Sequence, residues 1–247
     1  MNPTRLLPVL LLAGLLACRT SHVVTNQAYN RISVDSTARP DTSLVRLLSP
    51  YKQGLDKTMN EVLAQTPERL DKRKPECALN NLLCDALLSQ ATVRYGKPID
   101  VSHLNFGGVR NGLPKGDITV GNVFEVMPFD NQLVVLTLTG DQLMRFLNHF
   151  AGDEALLVSG IAVKLRENKI QSVTFASGRT LQPAETYAVA LSDYIANGGG
   201  GASFLKEATK REDLDYLIRD ALIDYFRKQG RSGQPLTLQD NGRITIE

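Results

Sequence analysis

The clearest apolar spacing in the chain lies near its C-terminal end. Leu214, Leu217, Ile218, Ala221, Leu222, Tyr225 and Phe226 recur at helical intervals between Asp213 and Gln229, and Gly230 follows as a C-terminal cap. This predicts a helix over 213–229. Leu79, Leu82, Leu83, Ala86 and Leu87 predict a second over Ala78–Tyr95. A third is predicted over Ser43–Ala64 from Leu44, Leu47, Leu48, Leu55, Met59, Val62 and Leu63, bent or split at Pro50. Strand-like runs cover Ile99–Leu104, Gly121–Pro128, Gln132–Leu138 and Tyr187–Leu191. Thr139-Gly140-Asp141-Gln142 reads as a capping box opening a helix over Gln142–Phe150. Gly160–Leu165 and Ile170–Phe175 flank Glu167-Asn168-Lys169 as a hairpin, and Thr237–Leu238 and Arg243–Ile246 flank Asp240-Asn241-Gly242 as another. Strands and helices mix without strict alternation, so the expected class is α+β, a mixed sheet with packed helices.

The N-terminal pattern is different. Leu6–Leu16 is an apolar run too short to span a bilayer as a helix, preceded by Arg5 and ending at Leu15-Leu16-Ala17-Cys18. This resembles the bacterial lipobox. The resemblance implies a signal peptide over 1–17, cleavage before Cys18 and lipid attachment to its sulfur. Residues 18–42, rich in Ser, Thr, Asn and Asp and without periodicity, read as a polar tether, leaving 43–247 as the folded domain. The expected location is the cell envelope, outside the cytoplasm, with the lipid as the contact to the membrane.

The formal net charge is +2 and no basic block stands out, which argues against nucleic-acid binding. The other cysteines are Cys77 and Cys84. On one helix their Cα atoms would lie about 10 Å apart, too far for a disulfide, so buried thiols are favoured unless Cys77 precedes the helix.

Three segments offer chemistry. Asn105-Phe106-Gly107-Gly108-Val109-Arg110 follows a strand; its glycines allow close backbone approach and Arg110 carries a donor fork. Pro128-Phe129-Asp130-Asn131 places an aromatic ring in a polar turn at the end of a predicted strand. Tyr194-Ile195-Ala196-Asn197 runs into four glycines, Gly198–Gly201, either a flexible loop or a cradle of backbone amides.

Together, and with Asn81-Leu82-Leu83-Cys84-Asp85-Ala86, these segments resemble the C-terminal, substrate-binding domain of 5′-nucleotidases over about residues 43–247. The resemblance implies a nucleoside or nucleotide ligand whose base stacks between Phe129 and Tyr194. Arg110 would face ribose or phosphate, and Asn105 the base edge; Gly107, Gly108, Asn131, Gly198 and Gly199 complete the implied set. Gly200 stands where many relatives carry an Asp that accepts from a ribose hydroxyl, and Pro75 stands where some carry Arg. Complete enzymes of this kind also have a metallophosphatase domain with two metal ions. Here His22, His103 and His149 are the only histidines, and no Asp-x-His, Gly-Asn-His-Asp/Glu or Gly-His-x-His pattern occurs. No catalytic residue, metal ligand or cofactor is therefore expected in this chain. The leading expectation is the binding half of a split nucleotidase, inactive alone, with divalent metals in a separate metallophosphatase chain. The alternative is a non-catalytic binding or interaction module that keeps only the fold.

Overall fold

The computed structural model describes residues 28–247 except 34, 36, 153–155 and 239–241. The lipobox, Cys18 and His22 lie outside the described residues. The chain divides into two units, one up to Leu47 and one from Leu48 onward. In the first, Asp41 caps the opening helix by accepting from the backbone N–H groups of Ser43 (2.8 Å) and Leu44 (3.2 Å). That helix, α1, is Thr42–Met59.

The elements that follow are β1 (Val62–Thr66), α2 (Ala78–Tyr95), β2 (Val101–Asn105), β3 (Gly116–Thr119), α3 (Val120–Val126), β4 (Gln132–Thr139) and α4 (Gly140–Ala151). Then come β5 (Leu156–Ser159), β6 (Ile161–Arg166), β7 (Lys169–Phe175), β8 (Thr186–Ser192), α5 (Asp193–Ala196), β9 (Lys210–Leu217), α6 (Ile218–Gly230) and β10 (Ile244–Ile246). The central sheet has order β5-β2-β8-β4-β9, with β2 parallel to β8 and the other pairs antiparallel. A β10-β6-β7 sheet and a β1-β3 pair complete the α+β architecture.

Alternation along the central strands supplies two cores. Leu133, Ala190, Leu104 and Leu157 pack with Leu83, Leu87, Leu222 and Phe226 from α2 and α6. Val134, Leu136, Val189, Leu191 and Val158 pack with Phe146 and Leu147 from α4 and with Val163 and Val173 from the smaller sheet.

Four elements depart from the expected pattern. α1 stops at Met59 and continues through Pro50; Val62 and Leu63 belong to β1. Gly121–Val126 is helical, because Thr119 and Asn122 form a reciprocal capping box and Val120, Val123 and Val126 bury at helical spacing. Asp213–Leu217 is strand, since pairing with β4 overrides the helical spacing, and α6 begins only at Ile218. The final strand β10 lies parallel to β6, so Arg243–Ile246 is not one arm of a terminal hairpin. By contrast, α2 and α4 lie where the spacing puts them, α4 with the Thr139–Gln142 box complete. Cys77, at the N-cap of α2, and Cys84 are both buried free thiols. Burial pushes the Cys84 thiol up to about 12. Among the described residues, no helix is long and apolar enough to cross a membrane.

Candidate functional site

Sheet register brings the three sequence segments to one end of the central sheet. β2 and β8 run parallel and both finish there, while the antiparallel β4 starts there, with Leu133 opposite Ser192. Asn105 ends β2, Phe129 and Asn131 precede β4, and Tyr194 follows β8 within α5. Asp193 ties the last two segments together. Its Oδ1 accepts from Asn131 Nδ2 (3.1 Å), from the Gln132 N–H (3.1 Å) and from the Tyr194 N–H (2.8 Å).

Between these segments lies a cavity of about 610 Å³, lined by Asn105, Gly107, Gly108, Phe129, Asp130, Asn131 and Tyr194. Phe129 and Tyr194 are 44% and 48% exposed. Most large apolar side chains of this fold are buried, so two half-exposed rings on one cavity are its distinguishing feature. In the turn after β2, the Gly108 N–H donates to the Asn105 carbonyl (2.8 Å). A Cβ on Gly108 would lie 2.9 Å from Asn105 Oδ1, so a side chain there would displace the Asn105 amide.

Arg110 does not line the cavity but flanks it. Its guanidinium carbon is 5.9 Å from the Phe129 ring centroid, and Nη1 donates to the Gly107 carbonyl (3.3 Å). Lys72, which no sequence motif singles out, lies behind the same turn. Its ammonium donates to the Val109 carbonyl (2.6 Å) and sits 4.4 Å from the Phe106 centroid. Burial first, then the nearby Arg110 charge, lowers its pKa. Two cations thus meet at this turn.

The glycine run is placed differently from an amide cradle. Gly198 and Gly199 are not among the cavity's lining residues. Gly199 lies against the Tyr194 ring: a Cβ there would come within 2.5 Å of Cζ. The Gly200 N–H donates to the Tyr194 hydroxyl (3.2 Å), and the Gly200 carbonyl accepts from His149 Nε2 (2.7 Å). A side chain at Gly200 would start toward Phe150 and Ile195, at 3.4 and 3.5 Å, from a backbone with φ +62°. An Asp at this position would have to adopt a backbone conformation that side chains rarely take, with its Cβ in contact with these two apolar groups.

The remaining described histidine, His103, is fully buried on β2. Nδ1–H donates to the Leu157 carbonyl (2.9 Å), and the ring packs on Phe146 and Phe150. Burial holds its pKa down at about 3, so the imidazole stays neutral. Among the described residues, no three or more His, Cys, Asp or Glu side chains group as metal ligands.

The family model described as "5′-nucleotidase, C-terminal domain" matches residues 56–207. The chain belongs to this family. The 5′-nucleotidase precursor of Thermus thermophilus superposes with a TM-score of 0.71 at 28% identity, over 84% of this chain and 44% of that one. The trifunctional nucleotide phosphoesterase protein YfkN of Bacillus subtilis (strain 168) is 30% identical across 83% of this chain and 15% of its own length. A cell wall protein of Listeria monocytogenes, Lmo0130, is 27% identical across 87% of this chain and 30% of its own length. The chain thus spans less than half the length of each of these relatives, and it corresponds to the C-terminal domain of the nucleotidases among them.

Proposed function

We propose that this domain is the nucleoside- or nucleotide-binding half of a split 5′-nucleotidase, acting in nucleotide catabolism. The observation that carries this reading is the pair of half-exposed rings, Phe129 and Tyr194, on one cavity at the end of the sheet. A base entering between them gains about 1–3 kcal/mol per stacking ring, with little dependence on base identity. The Asn105 amide, also on the cavity, offers a donor and an acceptor to a base edge. Arg110, exposed beside Phe129, with Lys72 near it, favours a phosphate over a bare nucleoside, because charge-assisted bonds are the stronger ones.

Hydrolysis itself we assign to a separate metallophosphatase chain. Divalent metals there would activate water and stabilise the leaving oxygen. This chain would hold and orient the nucleotide. In support, both described histidines are engaged structurally, His103 with Leu157 and His149 with Gly200. We place the protein outside the cytoplasm, anchored through lipid on Cys18; the lipobox-like sequence and the kinship with a cell wall protein support that location.

Calorimetry with AMP, adenosine and guanosine tests the reading. Adenosine and guanosine are expected to bind with similar affinity and AMP more tightly. Arg110→Ala should weaken AMP more than adenosine. No heat with any of the three at millimolar concentration would refute nucleoside binding and leave the interaction-module reading.

A further inference from the structure

The Phe129 ring projects from the turn between α3 and β4 and is nearly half exposed. Its one cation–π or ring–ring contact among the described residues is the 5.9 Å approach of Arg110, itself an exposed side chain. Phe129 is not among the apolar residues packed against either core, so its backbone has a large share in setting its direction. That backbone is held from the far side by Arg219, near the start of α6. Arg219 Nη1 donates to the Pro128 carbonyl (3.2 Å) and to the Phe129 carbonyl (3.5 Å), while Nη2 pairs with the Asp130 carboxylate. Three consecutive residues of the turn meet one guanidinium.

Arg219 is only 7% exposed, and its plane lies over the Phe124 ring at 4.1 Å. Its Nε–H is buried without a partner. A buried cation with an unpaired donor is costly, and an apolar residue against Phe124 would avoid that cost. The fork geometry, with its two amino groups reaching the turn, is what an apolar residue cannot supply. α6 also anchors the next residue along: the Ile218 N–H donates to the Asn131 carbonyl (3.0 Å). From there α6 runs into the core through Leu222 and Phe226, so the turn is fastened to a helix packed in the core. Arg219 lies outside the 56–207 span that matches the family model.

We infer that Arg219 is a positioning residue for the binding slot, fixing the Phe129 ring by clamping the Pro128–Asp130 turn from behind. It touches no ligand in this scheme and acts through Phe129. The affinity consequence rests on the nucleoside reading given above; the positioning itself does not.

The test therefore has two arms. The first uses protein labelled with 4-fluorophenylalanine, without ligand, the Phe129 signal being assigned by its loss in Phe129→Leu. In Arg219→Met the Phe129 fluorine signal should move toward the solvent-exposed value and sharpen, while the other phenylalanine signals and the far-UV dichroism hold. Arg219→Lys keeps a charge but loses the fork, and serves where the methionine variant folds poorly; it should give an intermediate shift. An unmoved Phe129 signal in a folded Arg219 variant would overturn the inference.

The second arm is adenosine calorimetry on wild type, Arg219→Met, Phe129→Ala and the double variant. Arg219→Met should weaken binding about tenfold, the worth of one stacking ring. In the Phe129→Ala background the same change should cost less than about twofold, since a residue acting through the ring has nothing left to act on. Equal losses in both backgrounds would show that Arg219 acts elsewhere and would overturn the inference. If wild type binds no adenosine, the nucleoside reading fails and the fluorine arm alone decides the positioning role.

Discussion

Replacing Gly199 by alanine inserts one methyl group into the seat of the Tyr194 ring. Built on the present backbone, the new Cβ would lie 2.5 Å from Tyr194 Cζ, 2.6 Å from Cε1 and 2.5 Å from the Tyr194 carbonyl oxygen. Contacts below 3.0 Å do not persist, so the ring must retreat by at least 0.5 Å, and by more to reach ordinary contact. The ring alone cannot relieve the strain, because the carbonyl is backbone and the loop must shift with it. Overpacking of this kind costs about 1–3 kcal/mol where the site holds its shape. Where the ring swings away instead, the protein recovers stability and the slot loses a wall, about 1–3 kcal/mol of stacking or roughly five- to 150-fold in affinity. Adenosine calorimetry beside thermal denaturation reads both routes. Gly54→Ala, in α1 with no atom within 4 Å of the new Cβ, is the control and should leave binding unchanged. Wild-type affinity together with wild-type melting in Gly199→Ala would refute the idea that the glycine run seats the ring.

The buried His103 gives a pH signature. Its folded pKa of about 3 lies below the ordinary 6.5, so between those values the unfolded chain binds the extra proton and stability falls as pH falls. From pH 6.5 to 4.5 this amounts to about 2–3 kcal/mol. Urea denaturation should show that slope in wild type and a flatter one in His103→Gln; parallel slopes would rule out His103 as its source. For the anchor, wild type expressed in a lipoprotein-processing host should partition into detergent and Cys18→Ser into the aqueous phase. Equal partitioning of the two would contradict lipid attachment at Cys18.

The cavity at the end of the sheet was legible only from its segments taken together. A single ring at a strand exit more often packs in a core, but the joint resemblance of three ordered segments pairs Phe129 with Tyr194, and the two do share a cavity. Elements with strong local signals were equally readable, as with the Thr139–Gln142 box that opens α4. What escaped was decided at long range or by competing local patterns. Val120, Phe124 and Val126 favour strand by residue type, and the Thr119–Asn122 box uses asparagine where glutamate or glutamine is usual. Leu214 and Leu217 continue the helical spacing of α6, yet β4 recruits them as strand. Arg219 sits 90 residues from the phenylalanine it supports, and no spacing rule links them. The glycine run signals tolerance for close approach, which suits a flexible loop or an amide cradle alike. Which group approaches, the Tyr194 ring, is a tertiary fact.

The most direct test of a base held between Phe129 and Tyr194 is the proton spectrum of adenosine titrated with the protein. Ring currents from two flanking aromatics should move the H2 and H8 signals of the base upfield on binding. The effect should shrink in Phe129→Leu and in Tyr194→Leu, and vanish in the double variant at ligand concentrations that still saturate it. Binding without an upfield shift, or a shift that survives the loss of both rings, would contradict the stacking slot.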